Sequence, residues 1–257
     1  MNINFYEGRN RQARTIKSSD VSPTAYDYSL VLSEALSEIS PSAEEEAYIR
    51  ATVERIVEKC REQIAQRKID AELLVAGSIA KGTYSKNPDL DLFIMFPEGT
   101  PQEFFEPVVL EIGKSVLHTF DTRYAQHPYA HGTFEKLEVD IVPCTKVKKP
   151  ASGMSPVDRT PFHIEFIKSA FSKSGIPHAE NEVRLLKAFM KSNYVYGAEI
   201  AVEGFSGYLA ELLVIYFGSF INVLKFFSHF KPSENALVLT PLSDLKEGKR
   251  LEASTIR

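Results

Sequence analysis

The stretch AGSIAKGTYSKNPDLD, residues 76–91, decides the fold. The apolar run ELLVAG (72–77) ends in it and the run DLDLFIMF (89–96) begins from it, so it reads as strand, turn with a short helix, strand. Side chains alternate along a strand, which places Asp89 and Asp91 on one face with Cα atoms about 7 Å apart. Carboxylates so placed raise each other's pKa unless a cation lies between them, and hard oxygen ligands suit Mg²⁺. A third carboxylate, Asp140, sits in LEVDIVP (137–143) with Val139, Ile141 and Pro143 on the opposite strand face. If that strand lies beside 89–96, the three aspartates form a two-metal site that activates a hydroxyl and stabilises a departing pyrophosphate. The turn adds what metals cannot. Gly77 lets the backbone approach phosphate, Ser78 and the helix start after it offer donors, and Lys81 brings a point charge. Taken singly, an Asp-x-Asp is usually a surface strand and a Gly-Ser an ordinary turn; their combination within one strand-turn-strand, with a later strand aspartate, carries the reading.

Outward from this centre, residues 27–37 read as a short amphipathic helix ending before Ser40-Pro41. In 42–67 the apolar positions Ile49, Val53, Ile56, Val57, Cys60 and Ile64 recur at helical spacing, with Ser42 as cap and Glu44, Glu45 and Glu46 in the first turn. PQEFFEPVVLEIGKSVL (101–117) reads as an amphipathic helix interrupted at Pro107, followed by a strand near 120–125. From Pro161 onward the signals are helical: PFHIEFIKSAFSK, NEVRLLKAFMKSN, FSGYLAELLVIYFG and SFINVLKFFSHF. The fold class is therefore α+β, a mixed half followed by a helical half, with the boundary in KKPASGMSPVDRTP (148–161). The expected division is a polar tail over 1–22, a catalytic domain over 23–150, a helical central domain over 151–230 and an extension over 231–257.

A chain of 257 residues can bury a substantial core, and 44% hydrophobic with 25% charged residues argues against wholesale disorder. Cys60 and Cys144 have no CxxC partner, which argues against a zinc module or a disulfide-stapled domain and points to a reducing, cytoplasmic compartment. The first twenty residues lack the apolar run of a signal peptide, and the most apolar neighbourhood, LAELLVIYFGSFINVL, contains Glu211 and Asn222 and reads as buried helix, so no membrane is expected. A net charge of −4 does not announce a nucleic-acid binder; TKVKKP (145–150) is the densest basic cluster and reads first as a solvated loop.

An apolar-Gly-Ser, ten residues, then Asp-apolar-Asp-apolar resembles the signature of DNA polymerase β-like nucleotidyltransferases. The stretches RYAQHPYAHG (123–132), EVDIVPC (138–144), DRTPFH (158–163), NEVRLLKAFMK (181–191) and YGAEIAVEGFSGYLAELLVIYFGSF (196–220) look like those of archaeal, class I CCA-adding enzymes, over roughly residues 25–230. The resemblance implies a polymerase β-like head and helical neck, transfer of CMP and AMP from CTP and ATP to the tRNA 3′ end, and Mg²⁺ on Asp89, Asp91 and Asp140. It further implies that Ser78 and Lys81 hold the triphosphate, with His163, Lys187 and Tyr196 contacting the nucleotide from the helical half. Without it, Lys187 reads as an exposed lysine of an amphipathic helix, Tyr196 as packing at a helix end, and His163 as a helix brace. His127, before Pro128, reads as part of a rigid turn.

Family members continue into body and tail domains that grip the acceptor stem, and SENALVLTPLSDLKEGKRLEASTIR (233–257) shows little of that continuation. The expectation is a catalytic fragment or shortened relative. A truncated NTP-binding module without turnover, or a related transferase with another acceptor, stays open at this point.

Overall fold

The computed structural model describes residues 27–148, 155–199, 201–231 and 236–239, together with the short strands Ala13–Thr15 and Ala253–Ile256. The rest of the polar start, residues 149–154 of the expected linker and most of the 231–257 extension lie outside the described residues. The chain divides into two compact units: Ile39–Lys168, and Met1–Glu38 together with Ser169–Arg257.

In the first unit, α2 (Ala43–Gln66) starts in a capping box: Ser42 accepts from the Glu45 amide and the Glu45 carboxylate accepts from the Ser42 amide. α1 (Ser29–Ile39), which belongs to the second unit but for its last residue, precedes it in the chain. The sheet runs β2 (Glu72–Val75), β3 (Leu90–Pro97), β6 (Leu137–Lys146), β5 (Pro128–Phe134) and β4 (Thr119–Tyr124) in spatial order, with β3 and β6 parallel and the other pairs antiparallel. Between β3 and β4 runs α4 (Gln102–Val116).

Strand alternation builds the core on one face. Leu90, Leu92, Ile94 and Phe96 of β3 and Val139 and Ile141 of β6 pack with Ile49, Ile56, Cys60 and Ile64 of α2 and Phe105, Val109, Ile112 and Val116 of α4. The helical spacing read along α2 is thus the spacing of its buried stripe. The expected break at Pro107 does not occur: α4 is continuous through it. Proline sacrifices one backbone hydrogen bond there, and the burial of Phe105 and Val109 on either side offsets the loss. The other face carries a smaller cluster of Ala76, Phe93, Cys144 and Ile164, the last from α5 (Thr160–Ser174).

The second unit holds α6 (Ala179–Ser192), α7 (Gly207–Phe217) and α8 (Phe220–His229). Ser206 and Ser219 cap α7 and α8 by accepting from the Leu209 and Asn222 amides. Gly218, at φ +81°, turns the chain between them, and the pair is bent by 92°. Among the described residues no single helix is long and apolar enough to cross a membrane. A three-stranded antiparallel sheet of β1 (Ala13–Thr15), β8 (Ala253–Ile256) and β7 (Ala236–Leu239), in that order, also belongs to this unit and is not foreshadowed by the sequence pattern.

Candidate active site

The parallel pairing of β3 with β6 sets Asp91 directly opposite Asp140, so the condition attached to the third carboxylate is met by the sheet itself. Both face away from the main core. The Asp91 carboxyl is pushed up from 3.8 to about 6, first by burial, then by the charges of Asp140 and Asp89, with Lys81 opposing. Asp89 stands one residue ahead of β3, exposed, on the loop that leads into it.

Gly77 is shaped by this cluster. Its φ is +62°, and a Cβ there would lie 1.8 Å from Asp91 Oδ2, so glycine is required both for the left-handed turn and for the space the carboxylate occupies. The sequence pattern suggests that this freedom serves phosphate approach; the structure gives it first to Asp91. Ser78 follows in α3 (Gly77–Lys81), a single short turn whose last residue is Lys81. The Ala76 amide donates to the Asp91 carbonyl at 2.8 Å and the Thr83 amide to the Ser78 carbonyl at 3.0 Å, tying the turn to the strand. His163 lies in the first turn of α5, within the same unit as the aspartates.

The polar row continues past the predicted residues. Asp140 is opposite His131 on β5, and His131 is opposite Asp121 on β4. His131 Nδ1 donates to Asp140 Oδ1 at 2.6 Å. Two residues along β5, Tyr129 faces Arg123 across the ladder, and its phenol is pushed up by burial and by the Asp140 charge. Sequence reasoning missed β5 because PYAHGTF has no apolar run and begins in proline; its polar residues acquire meaning only through register.

In the helical unit, Lys187 and Tyr196 are brought together. A Cβ on Gly207 would lie 2.8 Å from the Tyr196 hydroxyl and 3.8 Å from Lys187 Nζ. The plain reading of Lys187 as solvent-facing is overturned: it is 6% exposed, with Nζ 3.4 Å from Oε1 of the fully buried Glu211. Burying both members is tolerable because each neutralises the other, whereas removing one would leave a bare charge in the interior. Tyr196 pairs with Phe205 in a β-bridge, and Lys191 lies over its ring at 5.2 Å.

The donor set has the chemistry of a hard divalent cation site: carboxylates that sense one another's charge, two of them fixed by adjacent strands. Among the described residues no three His, Cys, Asp or Glu side chains converge at ligand spacing. The buried thiols of Cys60 and Cys144, both pushed up to about 12 by burial, offer no alternative soft site.

Residues 55–171 match the sequence profile described as "Nucleotidyltransferase domain". Residues 181–252 match "tRNA nucleotidyltransferase, second domain". Among solved structures, CdnC of E. coli MS115-1 in its complex with HORMA-deltaN superimposes with TM-score 0.60 at 18% identity, covering 85% of this chain and 75% of that one. Cid1, described as having RNA terminal uridylyl transferase activity, gives 0.55 at 19%, over 74% and 54%. At such identities the likeness is one of fold, and the fold is that of a polymerase β-like nucleotidyltransferase. The sequence narrows this further. The CCA-adding enzyme of Thermoplasma acidophilum is 42% identical over 198 residues, 77% of this chain and 87% of that protein. That of Archaeoglobus fulgidus is 42% identical over 196 residues, 76% of this chain and 42% of that protein. The chain belongs to the family of archaeal-type CCA-adding enzymes. It spans less than half the length of the relatives from Archaeoglobus fulgidus and Picrophilus torridus, 42% and 45% respectively.

Proposed function

We propose that this chain transfers CMP and AMP from CTP and ATP to the 3′ end of tRNA, working in the cytoplasm. The observation that carries the reading is the Asp91–Asp140 pair, set side by side by parallel strands next to the Gly77-Ser78 turn, in a member of this family. The terminal 3′ oxygen bonds to the α-phosphorus as the bond from that phosphorus to the β-phosphate oxygen breaks and pyrophosphate leaves. Asp89, Asp91 and Asp140 would hold Mg²⁺, which when bound supplies charge neutralisation to the reacting phosphate and acidifies the attacking hydroxyl. Ser78 and Lys81 hold the outer phosphates, the hydroxyl by hydrogen bonding and the ammonium by charge, with His163 donating to phosphate or sugar. Lys187 and Tyr196, neighbours in the helical domain 151–230, are the nucleotide contacts proposed for that domain, and 23–150 is proposed as the catalytic domain.

Incubation with Mg²⁺, labelled CTP and tRNA lacking its CCA end is expected to extend the RNA, and Asp91→Ala to abolish extension. Nucleotide binding without any incorporation would reduce the chain to an NTP-binding module. Extension of other hydroxyl acceptors in preference to tRNA would make it a transferase with a different substrate.

A further inference from the structure

His131 contacts a proposed ligand residue on the aspartate face, and the function above gives it no role. An ionised carboxylate only accepts, so the 2.6 Å contact to Asp140 requires the hydrogen on Nδ1, which fixes the tautomer and the ring's orientation. The contact is built by register. Asp140 and His131 are direct cross-strand partners, and the neighbours of His131, Ala130 and Gly132, are buried on the core side. On the other seam of β5, a Cβ at Gly132 would lie 1.9 Å from the Thr119 carbonyl oxygen, so β4 and β5 close together only with glycine at this position. The His131 side chain is 15% exposed and that of Asp140 30%, so water competes poorly for the bond.

We infer that His131 is a positioning residue for Asp140, holding Oδ1 so that Oδ2 is the oxygen presented to a cation. This rests on the reading of Asp140 as a metal ligand. Hydrogen-bonding partners behind metal ligands orient them, and their loss costs roughly 10–100-fold in metal affinity.

The test is Mn²⁺ titration of the full chain, read by the loss of free-ion electron paramagnetic resonance signal, with thermal melting of every variant alongside. His131→Ala is expected to weaken binding by about 10–100-fold. His131→Asn, whose amide nitrogen reaches the position of Nδ1, is expected to recover most of it; His131→Gln, whose amide falls at the Nε2 position, is not. If His131→Ala melts early, the contrast between the Asn and Gln variants decides, since both keep a polar side chain in the strand. Wild-type affinity in His131→Ala, or equal loss in Asn and Gln, overturns the positioning role while Asp140→Ala still loses the ion. Wild-type affinity in Asp140→Ala overturns the metal-ligand reading and this inference with it.

Discussion

On β3 and β6 the residues of one parity, Leu90, Leu92, Val139 and Ile141, are sealed against α2 and α4, whereas Asp91 and Asp140, of the other parity, sit on the face proposed to hold the metal. The two faces are not independent. A one-residue slip of either strand would expose its apolar set, so burial on one side fixes register, and that register sets carboxylate beside carboxylate on the other. The core therefore positions the site without touching it.

Substitutions at neighbouring positions separate the two faces. Asp91→Asn is expected to lower nucleotide incorporation by roughly a thousandfold, the scale of several kcal/mol of lost metal-assisted stabilisation. Because Asp91 is raised by burial and by like charges, its removal is expected to leave the melting temperature at pH 7.5 unchanged or higher. Leu92→Ala, one residue on, is expected to cost about 2–5 kcal/mol of stability in denaturant unfolding. A destabilised Asp91→Asn would show that the polar face also carries the fold. Gly77→Ala tests the seam between them: its Cβ would meet Asp91 Oδ2, and φ +62° costs a non-glycine residue about 1–2 kcal/mol. Incorporation is expected to fall by a larger factor than stability accounts for; a full-activity variant would refute the packing of Asp91 against the turn.

A milder probe lies at the far end of the sheet. Glu135, beyond β5, accepts from Arg55 at 2.7 Å and from Thr52 and Tyr48 at 3.1 Å each. The Arg55 hydrogen bond leads the causes that hold its carboxyl down, from 4.5 to about 2. A carboxyl depressed in the folded state stabilises above its ordinary pKa and loses that contribution as pH falls through the lower one. Melting temperatures of wild type and Glu135→Gln are therefore expected to differ at pH 7 and to converge between pH 4.5 and 2. A difference that persists at pH 2 would remove the ion pair as its cause.

Much of the fold and site is legible in the sequence, and the reasons are local. The period of 2 in DLDLFIMF and LEVDIVP assigns the parity of Asp91 and Asp140 directly, and the spacing of Ile49, Ile56, Cys60 and Ile64 assigns the buried stripe of α2. What stays hidden depends on pairing between distant segments. Nothing in PYAHGTF says that His131 meets Asp140, because that follows from antiparallel register. Likewise, Lys187 on an amphipathic helix looks solvated until α7 brings Glu211 to it. Pro107 misleads for the opposite reason: a local rule gives way to tertiary burial on both sides of it.

The parallel register of β3 and β6 also sets a rule for length variation in this chain. Losing one residue ahead of Asp140 within β6 would bring a core residue opposite Asp91 and carry the carboxylate into the interior, while losing two would restore the parity at the expense of one rung. A change of length inside either strand thus costs the buried face or the carboxylate pair, since an odd shift inverts the faces and an even one moves Asp140 off Asp91.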